Sequence, residues 1–491
     1  MQRRDLRCHW QLAGNFSTSH GYPTGPADPT QAARQRLAGF GKRRTRRSGG
    51  KQMTATVQQA TVDGADEVST GKRWYVLLIM VLVYTLSIAD RYVISTVLEP
   101  IRLELQLTDS GIAFLTGVAL ALFYVVMGFP LSWLIDRSNR RNIIAASIII
   151  WSAMTAFCGL SKNYVQLLIG RIGVGIGEAG GTPGANSIIS DYFPAAKRPM
   201  ALTVFSLGAP IGAWLGADIA GIINDAFNWR MVFLVLGIPG VLVGLLILVT
   251  IKEPKRGRLD HKGGDNVGAS LGESMRYLWS QRSAVHVMLA SALTALWGWG
   301  LMWWTPTFLI RNYGLTPGEA GGILGPIHLI GGGLATLFTG WWMAQPSMRD
   351  PRSIVRLMGW GVLCATIVSG IIYSTRNLQL ATYLFWIFIP AIYFYIGPCF
   401  GLLTNLCEPR MRAQFCAATL FIANVGNLII APQLVGFLSD AFAPGHVANG
   451  ESLRMAMLCL VPFGFWAVWH YFRSTRKILD DQERATGIRP A

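Results

Sequence analysis

Twelve runs of about 20 predominantly apolar residues punctuate this chain, each long enough to cross a bilayer. They lie near 74–97, 112–135, 142–160, 164–190, 200–224 and 229–251, then 283–310, 319–343, 353–373, 379–404, 412–437 and 452–472. Inside hydrocarbon a backbone must satisfy its own hydrogen bonds, so runs of this length are helices. Charged residues make up 14% of the chain, against about 25% in soluble domains. The expected fold is therefore an all-α membrane protein with two pseudo-symmetric six-helix bundles. The boundaries follow from the runs: a disordered basic region at 1–72, an N-terminal bundle at 73–252, a cytoplasmic linker at 253–282, a C-terminal bundle at 283–475 and a cytoplasmic tail at 476–491.

A net charge of +17 suggests nucleic acid until it is located. Residues 1–52 hold eleven Lys/Arg against two Asp, a local excess of +9. The stretch GFGKRRTRR within them suits anionic lipid headgroups. No apolar core of a signal peptide precedes the first span, so no cleaved leader is expected, and Met53 offers an alternative start. With the N-terminus in the cytoplasm, loops and tail on that side carry twenty-two Lys/Arg and the opposite loops six. The positive-inside rule then places both termini in the cytoplasm, which an even number of crossings requires. The expected location is a bacterial inner membrane or a plasma membrane, with the bilayer and a small-molecule substrate as partners. No nucleic-acid partner is expected, and the protein should be a monomer. The seven cysteines are scattered without a CxxC pair, so neither a disulfide framework nor a metal site is indicated.

The two halves echo each other. GAPIGAWLG follows Lys197-Arg198, and ANVGNLIIAPQLVG follows Arg410-Met411-Arg412; laying Arg198 on Arg412 places Gly212 on Gly426. An internal repeat of six spans is the build of many secondary transporters.

Two deep apolar runs carry charge, and they shape the functional reading. In RIGVGIGEAGGTPG, Arg171 and Glu178 stand seven residues apart, on one face of a helix. Gly173, Gly177 and Gly181 form a stripe that admits a second helix. In the first span stand Asp90 and Arg91. The first and fourth spans run in opposite directions, so these four residues share a layer roughly 10 Å deep. Charges at such depth are costly and face a partner or a water-filled cavity. A buried carboxylate that loses its cationic partner takes up a proton more readily. Asp90 and Glu178 are therefore candidate proton-coupling groups, with Arg91 and Arg171 as partners and possible anion ligands. The alternative is a static clamp between two helices. Which acid pairs with which base is left open.

Under the same register Arg171 and Glu178 fall on Phe385 and Ile392, and the second half answers with aromatic residues. Trp303, Trp304, Phe385 and Tyr393, together with His328 in GPIHLIGGG, are candidate cavity residues. A charged wall facing an aromatic one suits an amphipathic molecule or an organic anion. At the inner end of the second span, SWLIDRSNRR places Asp136 beside Arg137, Arg140 and Arg141. An acid at a helix C-terminus opposes its own dipole, so a cationic partner is expected, with Arg412 at the eleventh span the candidate. Such a pair would latch the cytoplasmic side. Gly175–Gly180 spells GxGxxG, but no strand precedes it, so no dinucleotide site is expected. No catalytic constellation or cofactor site appears; the only co-factor of transport expected is a proton gradient.

SWLIDRSNRR resembles the loop signature of the major facilitator superfamily, GxLaDrxGRr, with Ser132 and Asn139 in place of its glycines. ADRYVIS in the first span and RIGVGIGEAGGTPGANSIISDYFP in the fourth resemble the Spinster-type branch. The resemblance implies alternating access, with Asp90, Arg91, Arg171 and Glu178 matching that branch's proton-sensing and gating residues. Eukaryotic members of the branch carry lysolipids or sphingosine phosphate. The similar anion–cation symporter branch, which moves organic acids, is the rival on substrate. A receptor derived from a transporter is the alternative of another class.

Overall fold

The computed structural model describes residues 69–486, apart from 195–196, 255–269, 344, 346–347, 349 and 409–410. Residues 1–68 of the basic N-terminal region lie outside the described residues, and its last residues, from Thr70, are helical rather than disordered. Twelve helical spans follow the expected order. They are α1 (Thr70–Thr96), α2 (109–137), α3 (Arg140–Gly159), α4 (Tyr164–Glu178 and Gly181–Tyr192), α5 (198–226) and α6 (Trp229–Thr250). In the second half come α7 (Arg282–Tyr313), α8 (Pro317–Met343), α9 (Pro351–Ser374), α10 (Leu378–Asn405), α11 (412–442) and α12 (Gly450–Ser474).

Polar residues at the ends of the runs start the helices. Asn139, Asn163, Asn228, Asn377 and Asn449 accept hydrogen bonds from the first turns of α3, α4, α6, α10 and α12. Each satisfies backbone donors that the helix itself cannot. Thr316 and Glu319 cap α8 reciprocally, with Pro317 at its first position.

The glycine stripe of α4 packs on α3. A side chain at Gly177 would come within 2.6 Å of the Trp151 backbone nitrogen, and one at Gly173 would strike Met154. Gly175 faces the other way, against the Leu120 carbonyl of α2. The second helix that the stripe was expected to admit is α3.

The repeat is visible in detail. Gly212 of α5 lies against α1 at Thr85 and Ile88, and Gly426 of α11 lies against α7 at Ala292 and Leu296. Arg198 Nε donates to the Ser190 carbonyl and Arg412 Nε to that of Thr404. Both contacts obey the shift of 214 residues. So does a wide helical turn at Phe114–Val118 in α2, matched by Ile327–Gly332 in α8. Two segments beyond the spans are also ordered: a helix at Leu271–Ser280 in the linker and another at Ile478–Thr486 in the tail. The tail helix is pinned to α7, because buried Asp481 accepts from the Ser283 backbone and hydroxyl.

Candidate functional site

The four deep charges form two crossed ion pairs between α1 and α4. Arg91 Nη2 lies 2.8 Å from Glu178 Oε2, and Arg171 Nη1 lies 2.9 Å from Asp90 Oδ2. Thr155 of α3 donates to Asp90 at 2.6 Å, and Ser87 donates to Glu178 at 3.3 Å. The pairing left open by the sequence is thus Arg91 with Glu178 and Arg171 with Asp90. The two pairs differ in access. The Arg171 and Asp90 side chains are 1% and 5% exposed, whereas Arg91 is 17% exposed over a fully buried Glu178. Arg91 also lies over the Tyr124 ring, 5.0 Å from its centre.

Arg91 reaches the wall of a central cavity of about 560 Å³. Tyr84, Ile88 and Tyr92 of α1 and Leu202, Thr203 and Ser206 of α5 line one side; Trp299, Trp303, Thr339, Met343, Tyr393 and Asn427 line the other. Leu202, Thr203 and Ser206 of α5, Thr339 and Met343 of α8 and Tyr393 of α10 lie on the halves of their helices nearest the termini, while the α1 residues lie deeper. The cavity therefore opens toward the side that bears the termini, here called inner. Its volume falls in the range of small-molecule sites.

The expected cavity residues divide. Trp303 and Tyr393 line it, and Trp303 donates to Asn427 at 2.7 Å. His328 stands directly behind Tyr393, with Nδ1 3.1 Å from the hydroxyl. Trp304 does not face the central cavity; it is 1% exposed and lines a small void beyond Arg91. Phe385 is buried in the core near Tyr373 and away from the cavity. Reading α10 by register with α4 placed it one functional face too far, because an aromatic residue packs where the first half needs a charge.

On the inner side Arg140 and Arg141 bind within their own half. Arg140 pairs with Asp191 at the end of α4 and with Glu253 after α6. The Arg141 backbone donates to Glu253, and its guanidinium to Asn142 and the Ile251 carbonyl. Arg412 is exposed and turned to Thr404; Arg137 is exposed. The side chain of Asp136 lies outside the described residues, so its expected latch is not seen.

The opposite, outer side is shut by a network between the two halves. Arg311 of α7 donates to Glu99 at 2.8 and 2.6 Å and to Asp109 at 2.7 Å through each of its two terminal nitrogens. Arg102 also holds Glu99. Burial alone would raise the Glu99 carboxyl, but hydrogen bonds from Arg102 and Arg311 and their charges hold it below its ordinary value. Asp440 of α11 accepts from the Asp109 and Ser110 backbones, where the start of α2 favours an anion. Asp225 of α5 accepts from the Gly318 backbone of α8.

Arg102, Arg230, Arg311 and Arg454 are four of the six Lys/Arg that the positive-inside count places in the outer loops. Each has a fixed role: Arg230 binds Glu104, and Arg454 donates to the Ser374 and Thr375 carbonyls. Their rarity on that side was the signal available. Asp218 was also passed over as a deep charge; its carboxylate accepts from Trp214 within α5.

Residues 80–472 match the sequence profile of the Major Facilitator Superfamily. The chain belongs to the major facilitator superfamily. Within it the likeness is to the Spinster-like branch. A bacterial homologue of the human lysosomal transporter Spinster, solved inward-facing and unoccupied, superposes with a TM-score of 0.76 at 31% identity. The match covers 84% of this chain and 99% of that one. The sphingosine-1-phosphate transporter SPNS2 of Danio rerio is 28% identical over 82% of this chain and 83% of its own length. An MFS-type efflux pump of Mycolicibacterium smegmatis is 26% identical over 88% of this chain and the whole of the relative. This Spinster-like protein is a transporter, not an enzyme, and it works by alternating access between states such as the inward-open one described.

Proposed function

We propose that this Spinster-like protein couples proton movement to transport of an amphipathic anion across a bacterial inner or plasma membrane, as a monomer with both termini cytoplasmic. One observation carries the reading: Arg91 is at once the ligand of buried Glu178 and the cation at the cavity wall. An anionic headgroup entering from the inner side competes with Glu178 for that guanidinium. Glu178 deprived of it keeps the Ser87 hydroxyl, and taking up a proton removes the cost of a buried charge without its ion-pair partner. Substrate and proton then favour the same rearrangement. Asp90, with Thr155 and the buried Arg171 both in place, serves as the second proton site.

An amphipathic cargo is supported by the composition of the cavity. Aromatic and aliphatic side chains dominate its lining, with Arg91 as its cation. SPNS2 is named for a cargo of this class, an amphipathic phosphate.

The test is substrate-dependent proton flux in proteoliposomes, over a panel of lysolipids and small organic acids. A lysolipid response that Glu178→Gln abolishes supports the reading. A response confined to organic acids moves the cargo to the organic-acid symporter class, and binding without flux would make the protein a receptor.

A further inference from the structure

Beside Arg91, rings from both halves meet at the cavity wall and just behind it. Tyr92 of α1 packs against Trp303, with ring centres 5.2 Å apart, and edge-on against His328 at 4.9 Å. His328 comes from the wide turn of α8 and Tyr393 from α10. Tyr92 and Tyr393 both border the cavity.

The polar atoms of this cluster are incompletely paired. His328 is 1% exposed and Tyr92 4% exposed. The His328 Nδ1 is bonded to the Tyr393 hydroxyl, but among the described residues its Nε2 has no hydrogen-bond partner, and the Tyr92 hydroxyl meets that of Tyr393 without a well-formed hydrogen bond. Buried polar atoms are seldom left so. The arrangement is also built: a side chain at Gly332 would come within 2.8 Å of the Tyr393 ring, so glycine there is what lets the phenol reach His328.

We infer that Tyr92, Tyr393 and His328 form a subsite for a hydroxyl group of the cargo. The inference rests on the reading of the cargo as an amphipathic anion and deepens it. A hydroxyl both donates and accepts, and so do a phenol and a neutral imidazole. A second ionic group would not suit the place, because no described carboxylate or cation is hydrogen bonded to the cluster and a lone buried charge is costly. Arg91 and Tyr92 are consecutive, so one molecule can place an anion on the first and a hydroxyl on the second. The cargo class is thereby narrowed to amphipathic anions with a hydroxyl near the charged head.

The test measures binding of a 1-acyl lysophosphatidic acid and of its 2-deoxy analogue to the full chain in nanodiscs. The protein should prefer the hydroxylated lipid by about fivefold to tenfold, the worth of one hydrogen bond. Tyr92→Phe and Tyr393→Phe, which keep the rings, should each bring the two lipids toward parity. His328→Gln, which retains a donor and an acceptor, should keep part of the preference. Equal binding of both lipids by the unaltered protein overturns the subsite and leaves the cargo reading intact, as does a preference that survives in both Phe variants. Binding of neither lipid overturns the cargo reading, and the subsite with it.

Discussion

Replacing Arg311 with glutamine should open the outer side. Arg311 is buried and makes four short hydrogen bonds to Glu99 and Asp109, from the other half of the molecule. Its loss leaves two nearly inaccessible carboxylates, with side chains 7% and 0% exposed. Arg102 remains 2.8 Å from Glu99 but 3.7 Å from Asp109. Breaking a buried pair by removing one partner costs about 3–5 kcal/mol. Arg102 and the Ser439 hydroxyl on Asp109 offset part of this, so about 3 kcal/mol is the expected penalty on the outer-closed state. That energy shifts the conformational equilibrium by about 150-fold. The assay places a cysteine at Leu98, 2% exposed beneath the network, in a cysteine-free background. A membrane-impermeant maleimide is then applied from the outer side of intact cells. Labelling should accelerate by about one to two orders of magnitude in Arg311→Gln, and a second cysteine at Thr203 on the inner cavity wall should become protected. Unchanged labelling at both positions would refute the argument that this network holds the outer side shut.

Three further outcomes follow from the same geometry. Glu178→Gln should abolish pH-driven flux while leaving membrane insertion and elution on gel filtration unaltered; full pH-driven flux would remove Glu178 from the coupling. Glu99 should not be the proton sensor. Its carboxyl is held below the ordinary value, so its bonds are present above about pH 4.3 and are lost only as pH falls through the lowered value. Relative to a fully exposed outer reference cysteine, which shares the loss of thiolate as pH falls, labelling at Leu98→Cys should stay flat from about pH 8 to pH 5 and rise only below about pH 4.3; a midpoint near neutrality would overturn the assignment. Gly177→Ala should destabilise the α3–α4 contact, because the added carbon meets the Trp151 backbone at 2.6 Å. Overpacking of this kind costs about 1–3 kcal/mol, and a thermal midpoint equal to that of the unaltered protein would refute it.

The spans were legible because backbone hydrogen bonding in hydrocarbon leaves only helices for runs of such length. The charge layer was legible for the same energetic reason, since Arg171 and Glu178 stand out against an apolar ground. Pairing was not, because Asp90 and Arg91 are adjacent and either could face α4 until the helix phase is known. The outer network was missed for a different reason. Glu99, Asp109 and Arg311 lie at the ends of apolar runs, where charge is unremarkable in sequence, and only the docking of α1 and α2 on α7 brings them together. Phe385 shows the limit of arguing by repeat: the shift of 214 residues holds for Gly212 and Gly426, whose backbones must be approached, but side-chain function has diverged along it.

The inner charges and the outer network share one mechanical support. α1 carries Asp90 and Arg91, and Glu99 follows about two turns later, beyond a break in helical geometry at Val97. Gly208 and Gly216 of α5 press on the α1 backbone, at about the 3.0 Å that a side chain would have from the Val81 carbonyl and 2.5 Å from that of Ala89. Thr96 adds a hydrogen bond to the Gly216 carbonyl at 2.8 Å. With contact this close, α1 cannot slide without α5. The outer end of α5 is also the part that meets α8, through Gly221 at Pro317 and Asp225 at Gly318. A displacement that separates Arg91 from Glu178 therefore bears on both outer contacts through a single two-helix unit. On this argument the link between proton site and outer side needs no chain of side-chain relays: widening the α1–α5 seam, as with Gly212→Leu, should leave both ion networks chemically intact yet uncouple flux from pH. Normal coupling in that variant would show that the two helices move independently.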